Sequence, residues 1–211
     1  MSFIELKQVG KIVKKRPLLH DINAQIDQNE ITVLEGINGS GKTLILKAIL
    51  GLIKVTGEVI VAGKQVKVEE PYPVKAGILI ENPSLIGDLT AYQNMALLAK
   101  LDKSIKAGEL NRLLDYFDLS SFPKQKVKKF SLGMKQKLGI AQALLGKYPL
   151  VVLDEPTNAL DVKSVDKLIN IITEYSHNGS TFIIASHDRD FIEQIATKRL
   201  IVEEGTISHE K

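Results

Sequence analysis

The sequence predicts an α/β fold with a mostly parallel sheet, an N-terminal antiparallel β subdomain and an inserted helical subdomain. Three observations predict this fold. Short apolar stretches alternate with turn residues over residues 3–33, apolar strands alternate with helical patterns after residue 149, and an amphipathic helical stretch lies between them. Strands that alternate with helices form a parallel sheet with helices on its faces. We expect one domain over residues 1–211, with the helical subdomain at approximately 84–145.

Each element follows from hydrophobic periodicity and from turn or capping residues. The predicted elements in chain order are antiparallel strands within 3–33, a buried strand at 31–34, a helix at 43–53, strands within 55–68, a buried strand at 77–80, an amphipathic helical pattern at 90–119, a helix at 131–145, a strand at 150–153, a helix at 162–175, a strand at 181–185, a helix at 188–196 and a strand at 199–202.

Composition excludes several classes of protein. The chain has 211 residues, 44% of them hydrophobic and 25% charged, with a formal net charge of +3. These values fit a globular protein and do not suggest a nucleic-acid partner, which a concentrated basic face would indicate. Cysteine is absent, so disulfides and thiolate metal sites are excluded. We expect neither a signal peptide at the N-terminus nor a membrane span.

A phosphate-binding loop directly follows the strand at 31–34. Residues 36–43 match the pattern G-x-x-x-x-G-K-[ST], and the residues assigned to it are Gly36, Asn38, Gly39, Ser40, Gly41, Lys42 and Thr43. The glycines allow a tight turn whose N–H groups face an anion, and the helix that follows adds its positive end. The motif predicts that Lys42 contacts the β- and γ-phosphates of ATP and that the Thr43 hydroxyl is a ligand for Mg²⁺. The pattern therefore predicts a P-loop NTPase core.

Two acids end the apolar strand at 150–153. Asp154 is expected to hold Mg²⁺ through its water shell, and Glu155 to polarise the water that attacks the γ-phosphate. An Asp-Glu pair at the end of a strand is by itself an ordinary helix cap. The phosphate-binding loop in the same chain favours the catalytic interpretation.

Three further segments resemble motifs of the ATP-binding cassette (ABC) ATPases. Residues 131–136, Ser-Leu-Gly-Met-Lys-Gln, resemble the signature motif of that family, residues 158–161 its D-loop, and residues 186–188 its switch histidine. Together with the two motifs above they occur in the family's order, and the resemblance covers essentially the whole chain. It implies an ATP-hydrolysing enzyme.

In that family a nucleotide site is shared between two cassettes packed head to tail. The resemblance implies that Ser131 and the N–H of Gly133 face the γ-phosphate held by a second ATP-binding subunit, either a copy of this chain or a paralogue. It also implies that Asp161 lies at the shared site, and that His187 orients water together with Glu155.

Two positions depart from the family pattern. Glu81 stands where most members have glutamine, a change that, with the signature variant, resembles the ATPases of bacitracin-resistance and lantibiotic self-protection exporters. Glu81 is expected either to coordinate Mg²⁺ or its water shell, or to be a tolerated isostere. Residues 10–16 lack the aromatic residue that usually stacks on adenine, and Val13 is the candidate replacement.

We expect a motor subunit at the cytoplasmic face of a cell membrane, driving separate transmembrane permease subunits. A helix of the permease is expected to dock near Glu81, Asn82, Leu85 and Ile86. The signature variant and a chain end soon after the last strand favour export of a peptide, antibiotic or other amphiphile. An importer motor, a non-transport ABC ATPase, and a P-loop kinase or GTPase are the alternatives. The sequence does not specify the transported substrate.

Overall fold

The computed structural model describes residues 2–209. The strands are β1 (Ser2–Val13), β2 (Arg16–Asp27), β3 (Ile31–Glu35), β4 (Thr56–Val61), β5 (Lys64–Gln65), β6 (Ala76–Leu79), β7 (Leu150–Asp154), β8 (Thr181–Ser186), β9 (Lys198–Glu203) and β10 (Thr206–His209). The helices are α1 (Lys42–Ile49), α2 (Ala91–Leu101), α3 (Ala107–Tyr116), α4 (Leu132–Leu144), α5 (Val162–His177) and α6 (Arg189–Ile195), with a short 3₁₀ turn at Val127–Lys129.

Two sheets organise the chain, which confirms the predicted fold class. One sheet is antiparallel, with the order β2-β1-β4-β5, and the other has the order β10-β9-β3-β8-β7-β6. In the second sheet β3, β6, β7, β8 and β9 are parallel, and β10 runs antiparallel to β9. The carboxyl ends of β3, β7 and β8 therefore lie side by side, and each leads into a predicted motif.

Two hydrophobic cores lie on opposite faces of the parallel sheet. Val33 and Val151 pack with the helices of residues 91–145 and with α5 and α6. Their neighbours Leu34 and Val152 pack with α1 and the antiparallel sheet. Successive side chains of a strand point to opposite faces, so a strand buried on both faces is apolar throughout. This explains the unbroken apolar runs of β7 and β8, whereas the run in β3 is interrupted by the buried Thr32.

Helix α1 is shorter than its apolar pattern predicts. It ends at Ile49, and Gly51 adopts a left-handed conformation with φ 66°. The N–H of Gly51 donates to the carbonyl of Ala48, and the N–H of Leu52 donates to that of Lys47. These two bonds form a glycine-based C-cap, which closes the helix before its apolar residues run out.

The helical pattern over residues 90–119 is interrupted, contrary to the prediction of one continuous stretch. The break lies between α2 and α3, where Asp102 Oδ1 accepts hydrogen bonds from the N–H and the hydroxyl of Ser104. Such local side-chain bonds give the backbone an alternative to the helix. Both helices keep their apolar sides toward the core, so the amphipathic pattern continues through the break.

Strand β10 was not predicted from the sequence. It forms a hairpin with β9 through Glu204 and Gly205, which have φ values of 46° and 75°. Two positive φ values in a two-residue loop define the turn type that suits antiparallel strands. The sequence signal for this hairpin is Gly205, which directly precedes the β-branched residues Thr206 and Ile207. Among residues 2–209, no helix is long and apolar enough to cross a lipid bilayer.

Candidate functional site

The loop between β3 and α1 has the geometry of an anion cradle. Gly39 and Gly41 have φ values of 84° and 114°, and a Cβ on Gly36 would lie 2.3 Å from the carbonyl oxygen of Val202. Helix α1 begins after Gly41 with no side-chain cap on its first N–H groups. The buried hydroxyl of Ser40 has no hydrogen-bond partner. Unpaired donors at a helix N-terminus fit a phosphate.

Lys42 is the buried cation of this cradle. Its ammonium donates to the carbonyls of Gly36 and Ile37 at 2.6 and 3.2 Å. It also lies 3.1 Å from Glu155 Oε1, an ion pair without hydrogen-bond geometry, since that oxygen has no hydrogen-bond partner. The cleft around it is lined by Asn38, Gly39, Gly41, Lys42, Thr43, Leu44, Glu81, Asp154, Glu155 and Asn158.

Asp154 ends β7 at the floor of the cleft. Its Oδ2 accepts hydrogen bonds from the Thr43 hydroxyl at 2.9 Å and from the Glu81 N–H at 3.3 Å. Its Oδ1 is buried without a partner. Burial raises the pKa of the Asp154 carboxyl, although the bond from Thr43 acts in the opposite direction. An unpaired buried carboxylate oxygen beside a hydroxyl fits Mg²⁺, which prefers hard oxygen ligands and keeps several waters.

Glu155 and His187 form a polar pair over the cleft. His187 Nδ1 lies 2.8 Å from Glu155 Oε2, and the histidine follows directly after β8. Glu155 has a positive φ of 47°, and its N–H donates to the carbonyl of Ala185. A strained backbone held by a neighbouring strand is common at active sites. The carboxylate between Lys42 and His187 can accept a proton from water.

Glu81 lies at the cleft, but its carboxylate points toward a lysine. Its Oε1 is 2.5 Å from Lys47 Nζ, while its main-chain N–H contacts Asp154. Metal coordination by this side chain remains a prediction.

The motif at residues 131–136 begins helix α4. The Ser131 hydroxyl caps the helix by accepting from the N–H of Met134 at 3.2 Å, and Ser131 is exposed. A Cβ on Gly133 would lie 2.6 Å from the carbonyl oxygen of Ala159, so glycine permits this close approach. Neither Ser131 nor Gly133 lines the cleft of the same chain.

Sequence reasoning assigned no role to Gln136, which links α4 to the cleft. This buried amide donates to the carbonyls of Glu155 and Pro156 at 3.2 and 3.1 Å. Periodicity placed Gln136 on a helix, but only the fold brings it to the strand end that carries Glu155.

Neither Asp161 nor Val13 lines the cleft. Asp161 caps α5 by accepting from the hydroxyl and the N–H of Ser164, and these bonds hold the pKa of its carboxyl below the usual range. Val13 ends β1, next to a turn formed by Lys14 and Lys15, and 42% of it is exposed. An adenine contact at Val13 and a nucleotide contact at Asp161 stay predictions.

Comparison with known proteins agrees with this geometry. Residues 19–158 match the family model of the ABC transporter. The chain is 36% identical over 205 residues to an uncharacterized ABC transporter ATP-binding protein, YybJ of Bacillus subtilis, covering 97% of this chain and 94% of that protein. It is 35% identical over 209 residues to the lantibiotic transport ATP-binding protein SrtF of Streptococcus pyogenes, covering 99% and 90%.

Other relatives are consistent with these matches. The bacitracin transport ATP-binding protein BcrA of Enterococcus faecalis is 34% identical over 98% of this chain and 68% of its own length. A solved dimeric bacterial ABC transporter cassette, MJ0796, superposes with a TM-score of 0.87 at 25% identity, covering 99% of this chain and 97% of that one. The predicted resemblance is thereby confirmed, and the chain belongs to the ABC transporter family as an ATP-binding, ATP-hydrolysing cassette.

Proposed function

We propose that this chain is the motor subunit of a bacterial ABC exporter of a peptide, an antibiotic or another amphiphile. In this proposal two ATP-binding subunits act together at the cytoplasmic face of the membrane and drive separate permease subunits. The observation that carries the ATP-driven part of this proposal is the contact set of Glu155, which lies 3.1 Å from Lys42 and 2.8 Å from His187. The similarity to SrtF and BcrA supports the class of substrate.

The residues of the cleft have separate roles in the proposed hydrolysis. Residues 36–43 and the ammonium of Lys42 hold the phosphates of ATP. Glu155 takes the proton of the attacking water, while His187 orients the Glu155 carboxylate through Nδ1. Thr43 and Asp154 would hold Mg²⁺, which neutralises charge on the phosphates when it is bound. Positioning and charge neutralisation supply most of the catalysis in phosphoryl transfer.

A second ATP-binding subunit completes the site in this proposal. Ser131 and Leu132 at the start of α4 are exposed, and neither Ser131 nor Gly133 lines the cleft of its own chain. A helix N-terminus with a free face favours an anion, so Ser131 and the first N–H groups of α4 fit the γ-phosphate held by another subunit. Asp161 belongs to the same proposed interface. ATP then stabilises the paired state, and hydrolysis removes the bridge.

A groove beside the cleft fits a helix of the permease. Its volume is about 730 Å³, it lies between β6 and helices α2 and α4, and Asn82 and Pro83 line it. Leu101 at its rim is 85% exposed. The groove is continuous with the segment that leaves Glu81, so a helix bound there can sense the cleft. Of the predicted docking residues, Leu85 packs on the core and Ile86 is exposed outside the groove lining.

Dimer formation tests the shared site. Glu155→Gln keeps the size of the side chain and removes the base, so ATP binding should remain while hydrolysis falls at least about 100-fold. Light scattering after gel filtration, with ATP and Mg²⁺, should then give twice the mass of one chain. The control Glu155→Gln with Ser131→Arg should remain a single chain. A double variant that also doubles in mass would exclude Ser131 from the interface.

Transport tests the rest of the proposal. We expect the chain to co-purify with a multi-span permease encoded beside it. We also expect co-expression of the two to raise survival of sensitive cells in bacitracin or a lantibiotic, whereas the Glu155→Gln variant should not. Survival unchanged by the wild-type pair, with intact co-purification, would contradict export of these compounds. Uptake of a solute by that pair would indicate an importer.

A further inference from the structure

Glu81 and Lys47 form an ion pair at the edge of the cleft. Lys47 Nζ lies 2.5 Å from Glu81 Oε1, with exposed side-chain fractions of 26% and 59%. Lys47 lies on α1 one helical turn after Thr43, and residues three or four apart share a helix face. The pair therefore joins the phosphate-binding helix to the segment that follows β6.

The ion pair closes a ring of contacts around Asp154. The Thr43 hydroxyl and the Glu81 N–H both donate to Asp154 Oδ2, at 2.9 and 3.3 Å. Helix α1 thus reaches this segment twice, through Thr43 and Asp154 and again through Lys47. The main chain of Glu81 is fixed against Asp154, while its half-exposed side chain can turn.

The main chain of Glu81 lies so close to Asp154 that the direction of the Glu81 side chain matters electrostatically. A carboxylate that turned from Lys47 toward Asp154 would bring a second negative charge to a buried acid whose Oδ1 is already unpaired. Two neighbouring carboxylates repel each other unless a cation lies between them. The ion pair with Lys47 avoids this repulsion, because it holds the Glu81 carboxylate away from Asp154. A divalent cation bound at Asp154 would also remove the repulsion between the two carboxylates.

We infer that Lys47 is a positioning residue that competes with the divalent cation for the Glu81 carboxylate. This inference rests on the proposed nucleotide site. The carboxylate contacts Lys47 when the cation is absent and turns toward the cation's water shell when it is present. Because Glu81 begins the segment that leads to the groove at β6, the exchange gives that segment two positions.

Cation binding to variants of Lys47 and Glu81 tests the competition. The probe is Mn²⁺ with a non-hydrolysable ATP analogue, followed by electron paramagnetic resonance of free Mn²⁺. Lys47→Met should tighten Mn²⁺ binding by about twofold to fivefold, the range that partly exposed ion pairs contribute. In a Glu81→Gln background the same substitution should change binding less than about 1.5-fold, by the logic of a double-mutant cycle.

Two matched variants separate this role from general effects of charge. Lys47→Arg keeps an ion pair and should retain wild-type affinity for Mn²⁺. Lys67→Met removes a different exposed ion pair, in which Lys67 Nζ lies 3.1 Å from Glu70 Oε1. This variant should leave the affinity for Mn²⁺ unchanged. Hydrogen exchange over residues 81–90 should accelerate in Lys47→Met without Mn²⁺ and return to the wild-type rate at saturation.

The outcomes are distinguishable. Equal effects of Lys47→Met in the wild-type chain and in the Glu81→Gln background would show that Lys47 acts only as a nearby positive charge, and the inference would fall. No effect in either background would overturn it as well. A wild-type chain that binds no Mn²⁺ with the nucleotide would overturn the proposed site itself, and this inference with it.

Discussion

Asp154 and Glu155 are adjacent in sequence, yet their surroundings give them different chemistry. Asp154 is buried, bonded by Thr43 and the Glu81 N–H, and has one unpaired oxygen. Glu155 turns away through a left-handed backbone and lies between Lys42 and His187. The first environment suits a cation and the second suits proton transfer, so in the proposed site one strand end serves two functions.

The buried charge of Asp154 predicts a measurable effect on stability. Its pKa is raised in the folded chain, so the folded state binds more protons than the unfolded state above pH 3.8, and its contribution to stability falls as pH rises through the folded pKa. At pH 7, Asp154→Asn should raise Tm without Mg²⁺ by about 2–4 °C, the shift produced by about 1 kcal/mol in a domain of this size. Differential scanning calorimetry measures it.

The same variant should lose the additional Tm that Mg²⁺ and ATP give the wild type, because the cation loses a charged ligand. Asp166→Asn, on the solvent side of α5, is the control and should shift neither value by more than about 1 °C. A fall in Tm for Asp154→Asn without Mg²⁺ would contradict this prediction. It would mean that the hydrogen bonds of the carboxylate stabilise the fold more than its buried charge destabilises it.

At the scale of elements, helix α4 is fixed at its first turns to the end of β7. Gly133 allows the helix to approach the carbonyl of Ala159, and the Gln136 amide donates to the carbonyls of Glu155 and Pro156. The same helix presents Ser131 outward. In the proposed dimer, one rigid element therefore connects the base of one site with the phosphate contact of the other.

Replacing Gln136 tests this connection. Gln136→Leu keeps the volume and removes both hydrogen bonds, so Glu155 loses part of its support. We expect kcat to fall about tenfold, a cost of roughly 1.4 kcal/mol, while the Kd for ATP stays within twofold. Gln125→Leu, which removes an amide bond to the carbonyl of Lys129, is the matched control and should leave kcat unchanged. An equal loss of ATP affinity would indicate general distortion of the cleft.

At the scale of the whole molecule, a very close backbone contact helps to join the parallel sheet to the helices of the insertion. A Cβ on Gly77 of β6 would lie 1.7 Å from the carbonyl oxygen of Ala143 in α4. No flexible side chain can relieve that overlap, because the opposing atom belongs to a helix backbone. The glycine therefore sets how closely the helical segment packs on the sheet, and with it the width of the groove beside β6.

Two alanine substitutions at glycines should have opposite effects on stability. Gly77→Ala should force β6 and α4 apart and lower the free energy of unfolding by about 1–3 kcal/mol. Gly108→Ala, in α3 with open space around a Cβ, should raise it by about 0.5–1 kcal/mol through helix propensity. Urea unfolding measures both. A shift of the same sign in the two variants would contradict the packing argument.

The sequence by itself determined the fold class, the phosphate-binding loop, the acidic strand end and the family, because these depend on periodicity and on spacing within short segments. Only the tertiary structure decided the contacts of Lys47 with Glu81, Gln136 with Glu155, and Gly77 with Ala143. These partners lie on different elements, and no local pattern encodes which side chains meet. The packing of those elements sets the distances, and the distances decide which charges and hydrogen bonds are paired.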